Sequence, residues 1–171
     1  MESLGRIALL LALPLASSAC VVEDVGATGS GSSSGAAAPE VNALFEPLAA
    51  PTPDRLGGVW GTTSTNASGR ADLRFRFADR KVVGGVRCTF TTRNDRTMTV
   101  GQVGTLAVGD PNAKEGELRL GSELAFSDTE GDLKCEGKMQ NVSWLFSITG
   151  TTLVLSAAEL GGSVSLTKLG D

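Results

Sequence analysis

From Leu56 onward, apolar and polar side chains alternate residue by residue between short turn signals, the pattern of strands with one buried and one wet face. Leu73, Phe75 and Phe77 alternate with Arg74 and Arg76 before the turn residues Asp79 and Arg80. Val86, Cys88 and Phe90 alternate with Arg87 and Thr89 before the polar turn at 93–96. Met98 and Val100 open a longer strand in which Gly101 and Gly104 predict a bend or bulge. After a loop at 109–112, Leu118 and Leu120 alternate with Glu117 and Arg119, and this strand is expected to continue through Leu124 and Phe126 to a turn at 128–132. Leu133, Cys135, Gly137 and Met139 then alternate with Lys134, Glu136 and Lys138; Val142, Trp144, Phe146 and Ile148, then Leu153 and Leu155, then Val164 and Leu166 complete the series. Eight or nine strands joined mostly by hairpins predict an all-β domain over residues 54–171, a small antiparallel up-and-down barrel or a closely related sandwich.

Upstream the pattern changes. Arg6 and the apolar run 7–16 lead through Ser17, Ser18 and Ala19 to Cys20. Spanning a bilayer takes about 20 apolar residues, so this shorter run reads as a cleavable secretory signal over residues 1–19. Ser17-Ser18-Ala19-Cys20 resembles the lipobox of bacterial lipoproteins, a Leu, small, small, Cys pattern, with Ser17 where that family carries an aliphatic residue. The resemblance implies a diacylglyceryl group on the Cys20 thiol, a membrane partner reached through the acylated cysteine, and an exported protein anchored to the cell envelope. Val21, rather than Asp, after the cysteine is compatible with outer-membrane sorting; without acylation the product would be secreted. Residues 20–53 read as a lipid-anchored flexible linker. Positions 26–38 hold only Gly, Ala, Ser and Thr, with no large apolar side chain to offset the entropy of ordering. Val41, Leu44, Phe45 and Leu48 sit at helical spacing, and Pro47 limits any helix to about two turns, so a short capping helix and a continued linker both stand.

Composition removes several classes of chemistry. The chain of 171 residues has a net charge of -4, but residues 54–171 carry as many basic as acidic groups, which argues against nucleic acid as a partner. Residues 54–96 are predominantly basic and residues 97–171 predominantly acidic, a dipolar pattern read as solvated strand faces or an oriented docking surface. Histidine and tyrosine are absent, so the commonest general base, metal ligand and phenolic acid are missing; no catalytic residue, cofactor or metal is assigned. Three cysteines make an odd count, and taking Cys20 as acyl acceptor leaves Cys88 and Cys135 as a disulfide pair for an oxidising compartment. Both alternate away from the charged residues of their strands and should point inward. Their Cα atoms must then come within about 7 Å, which requires neighbouring strands or a flattened barrel, and either leaves less room for a ligand.

Leu56-Gly57-Gly58-Val59-Trp60-Gly61 resembles the Gly-x-Trp opening of lipocalin-like barrels, and the segments 146–153 and 165–169 are similar to the closing strands of bacterial lipocalin-like domains. The resemblance implies that Trp60 plugs one barrel end with a last-strand cation over it, here Lys168 where the family has Arg. Avidin-like barrels open similarly, but their biotin site uses a Tyr that this chain lacks. Two functions follow. In the leading one a non-enzymatic lipoprotein binds a small hydrophobic ligand or lipid among Phe75, Phe77, Phe90, Phe126, Trp144 and Phe146. In the other, those side chains fill the core of a structural or protein-interaction, inhibitor-like module. A carboxylate-based hydrolase is a distant third, with no carboxylate pair singled out.

Overall fold

A computed structural model of the chain describes residues 21–24 and 38–171. Eleven strands lie among the described residues: β1 (Val21–Asp24), β2 (Gly58–Thr65), β3 (Gly69–Ala78), β4 (Lys81–Phe90), β5 (Arg96–Val108), β6 (Glu115–Leu120), β7 (Leu124–Glu130), β8 (Leu133–Met139), β9 (Ser143–Thr149), β10 (Thr152–Ala157) and β11 (Gly162–Gly170). Helix α1 (Pro39–Asn42) continues as a 3-10 turn over Ala43–Phe45. Eight strands close an antiparallel barrel in the order β10-β11-β2-β3-β4-β5-β6-β9, and β1, β8 and β7 form a separate three-stranded sheet.

The alternation does what its period dictates. On β3, Ala71, Leu73, Phe75 and Phe77 are buried inside the barrel, while Arg70, Asp72, Arg74 and Arg76 face outward. Closure comes where β11 meets β2, with Thr167 opposite Gly61 and Lys168 opposite Trp60. Hydrogen bonding around a ring removes the free edges that an open sheet of this length would expose.

Two expectations are corrected. The run from Leu118 to Phe126 is two strands, because the chain breaks at 121–123 and β6 stays in the barrel while β7 leaves for the second sheet. Of the bend or bulge expected at Gly101 and Gly104, the bulge is absent against β4: β4 and β5 pair without a slip from Lys81↔Thr105 to Phe90↔Arg96. Gly101 serves close approach instead. It faces outward beside Gly85, and a Cβ there would lie 2.6 Å from Val41 Cγ1, so its hydrogen lets α1 settle against the sheet. Val41, Leu44, Val59 and Val83 form a small apolar cluster on this outer wall. Phe45 lies between the guanidinium groups of Arg74 and Arg87, 5.0 and 4.5 Å from its ring centre, and Arg74 Nη1 donates to the Leu44 carbonyl at 2.8 Å. These contacts select the capping-helix alternative for residues 39–45.

The hairpin β7–β8 turns inward. Leu124 reaches the inner side of Gly104, Phe126 that of Gly84, and Gly137 lies against Phe126 and Leu73. The inward-facing Gln102 accepts a hydrogen bond from the Ala125 amide at 3.2 Å. One continuous apolar core therefore contains barrel residues such as Leu73, Val86 and Phe90 together with Leu124, Phe126, Leu133 and Met139 of the hairpin.

Candidate functional site

The signal segment 1–19, Cys20 and most of the Gly/Ser-rich stretch lie outside the described residues. No helix among the described residues is long and apolar enough to cross a membrane.

Cys88 on β4 and Cys135 on β8 are bonded, with Cα atoms 5.8 Å apart and no solvent exposure. The distance limit is met in a way the sequence did not suggest. The two strands are not neighbours in either sheet; β8 passes over the inner face of β4, and the bond bolts the hairpin to the wall.

The six aromatic residues proposed as a ligand lining are all buried. Phe75 stacks on Phe77 with ring centres 6.3 Å apart, and Phe75 and Phe126 converge on Gly84, where a Cβ would lie 3.0 and 3.1 Å from their rings. Trp144 donates its indole N–H to the Gln140 carbonyl at 3.0 Å. All six belong to one continuous apolar core that includes the hairpin. Cavities among the described residues include one of about 200 Å³ at the rim beside Leu56, Phe77, Leu106 and Pro111, one of about 370 Å³ beside the 109–115 loop, and one of about 400 Å³ outside the barrel between α1 and Arg76. Phe77 and Phe146 each touch one of these, but none gathers the aromatic set.

Trp60 and Lys168 do meet at one barrel end. The Lys168 ammonium, its side chain fully buried, lies 5.3 Å from the Trp60 ring centre, and the indole N–H donates to the Leu56 carbonyl at 2.7 Å. Lys168 Nζ also donates to the carbonyls of Thr52 and Arg55 at 2.5 and 3.3 Å and sits 3.2 Å from Asp171 Oδ1. A buried ammonium needs such partners, since an unpaired one would cost several kcal/mol. Arg55 and Thr52 complete the cluster by donating to Asp171 Oδ2. Burial acts to raise the Asp171 pKa, but hydrogen bonds from Thr52, Lys168 and Arg55 outweigh it and hold the carboxyl down to about 2 from 3.8. A carboxyl with a depressed folded pKa stabilises fully above the unfolded value and loses that contribution as pH falls through the folded one. Urea unfolding midpoints should therefore drop between about pH 4 and pH 2, and Asp171→Asn should flatten that acid limb while lowering the midpoint at pH 7.

The exterior holds a feature the sequence reading missed. Residues 140–167 contain a single charged side chain, Glu159, at the β10–β11 turn. Cross-strand register stacks their outward side chains into three rows: Thr149, Thr152 and Thr167; Ser147, Val154 and Ser165; Leu145, Ser156 and Ser163. Leu145 is 56% exposed, and Val154 and Leu169 are also exposed. Every side chain in this wall is small hydroxyl or aliphatic. By contrast, the outward faces of β3, β6 and β8 carry Arg70–Asp72, Arg119–Glu117 and Lys134–Glu136 ion pairs. The signal was present as a charge-free run, but only the register shows that its outward residues are neighbours.

At the β7–β8 tip, Asp132 pairs with Arg93 and Glu130 with Arg96, so the acidic turn is answered by arginines of the β4–β5 connection and the start of β5. Among the described residues no three His, Cys, Asp or Glu side chains form a metal-binding group. No protein-family model, curated protein or solved structure matches the chain.

Proposed function

We propose that the chain is an exported, lipid-anchored envelope protein whose barrel is a non-catalytic interaction module with a filled core, presenting its charge-free wall of β9, β10 and β11 to a protein partner. The observation that carries this reading is the β7–β8 hairpin, which lays its apolar face over the inner side of β4 and β5 and is fastened there by Cys88–Cys135. A lipocalin-like carrier needs an interior volume of several hundred Å³. Here the candidate lining packs against protein. Interface centres are depleted of charge, which the wall matches, although it lacks the aromatic and Arg anchors of tight complexes, so a weak or transient contact fits it best. Export and anchoring are supported by the signal-like run and by cysteine arithmetic: with Cys88 and Cys135 bonded to each other, Cys20 has no cysteine of its own chain left to pair with.

Native mass spectrometry of the protein purified from its source should return the acylated chain with no further bound mass. A reproducible apolar ligand, lost on unfolding, would refute the filled-core reading. A photocrosslinker at Val154 should capture a discrete partner that one at Lys138 does not; equal capture at both would remove the wall from the proposal.

A further inference from the structure

The chain order at the amino terminus has a geometric consequence. Cys20 is followed directly by β1, and β1 is part of the folded domain: Val21 pairs with Glu136, Val22 with Cys135, Glu23 with Lys134 and Asp24 with Leu133 along the free edge of β8. At the far end of the Gly/Ser-rich stretch, Ala38 leads into α1, which is held on the outer wall by Val41, Leu44 and the Arg74–Phe45–Arg87 stack. Both ends of that stretch are thus fixed to the same barrel. With β1 itself paired to β8 directly after Cys20, chain beyond Asp24 adds no reach between Cys20 and the domain.

We infer that the acylated Cys20 holds the barrel directly against the bilayer, with β8 as its point of attachment and the Gly/Ser-rich stretch acting as a loop rather than a membrane tether. The partner surface is the lipid headgroup layer, and the inference rests on the lipid-anchor reading above. Antiparallel pairing fixes the orientation. The chain enters β1 at the Glu136 end of the ladder, so the end of β8 at Met139, the turn at 140–142 and the turn at 121–123 beside it face the membrane. The opposite end of the hairpin, with its Arg93–Asp132 and Arg96–Glu130 pairs, points away. Pairing also covers the β8 edge, which would otherwise offer unpaired backbone groups to any extended peptide.

The test compares two insertions of twelve Gly/Ser residues in the mature lipoprotein, one within the 26–37 stretch and one between Cys20 and Val21. Such a coil adds about 20 Å of root-mean-square reach when it is a free tether. Each protein is reconstituted into phosphatidylcholine vesicles carrying a dansyl headgroup lipid, and energy transfer from Trp60 and Trp144 is recorded. Transfer should be unchanged by the insertion within 26–37 and clearly reduced by the one after Cys20. Equal reduction by both, or no reduction by either, would overturn the proposal. Hydrogen exchange on the soluble Cys20→Ser variant separates this from the anchor reading itself: amides of residues 21–24 should exchange at least roughly tenfold slower than those of 26–37. Unprotected 21–24 amides defeat the β8 attachment even if Cys20 is acylated, whereas protected amides in a chain with no acyl mass on Cys20 defeat the anchor reading, and the membrane contact with it.

Discussion

Replacing both Cys88 and Cys135 by Ala should lower the unfolding free energy by about 4 kcal/mol, since the bond spans 47 residues of sequence and the chain-entropy cost of freeing such a loop is of that order. Small domains are stable by only about 5–15 kcal/mol, so the variant should be partly unfolded at 37 °C. The loss has a second, local part. Without the bond nothing covalent holds β8 over β4, and the buried face of the hairpin, including Phe126 and Leu133, gains access to water. Urea titrations followed by tryptophan fluorescence check the magnitude. A loss below about 1 kcal/mol would mean that the hairpin is held in place without the bond.

Trp60→Ala is the other large effect. The ring is fully buried at the barrel end, donates to Leu56 and lies beneath the Lys168 ammonium, so its removal leaves a cavity, an unanswered carbonyl and a cation without its aromatic face. The expected cost is about 3–5 kcal/mol. Trp60→Phe should recover much of the volume but neither the hydrogen bond nor the full cation contact, and should fall between the two. If Trp60→Ala and wild type unfolded at the same urea concentration, closure between β11 and β2 would not depend on the plug.

The sequence made the barrel walls readable wherever charge and hydrocarbon alternated strictly. β3, with arginines on alternate positions, and β8, with Lys134, Glu136 and Lys138 opposite Leu133, Cys135 and Met139, announce both their extended form and their buried faces. The same periodicity hid the break between β6 and β7. Leu118, Leu120, Leu124 and Phe126 all occupy even positions, so the inward phase runs unbroken across 121–123 although the chain passes from the barrel to the second sheet there. Alternation reports which face is buried, not which sheet a strand joins. The cysteine pairing followed from an odd count and an inward phase, but a contact between strands that share no ladder cannot be read from one dimension. β1 gave no signal either: four residues, Val-Val-Glu-Asp, become a strand because β8 offers an edge, a tertiary cause with no local trace. The plug was legible for the opposite reason, since Trp60 and Lys168 fall on the first and last walls of the barrel, which closure must bring together. What it recruits was not, because Thr52 and Arg55 precede β2 and Asp171 follows β11, outside the strands, where the path of the chain depends on the finished barrel.

The contents of the barrel interior decide between carrier and module, and proton–proton contacts in solution report them most directly. In the oxidised protein, nuclear Overhauser effects should link the Phe126 ring to the Gly84 α-protons and the Gly137 α-protons to the Leu73 methyls, placing the hairpin inside the wall of β3 and β4. Absence of those contacts, with the ring protons of Phe75 and Phe126 instead showing effects to water or to a bound apolar molecule, would contradict the filled core.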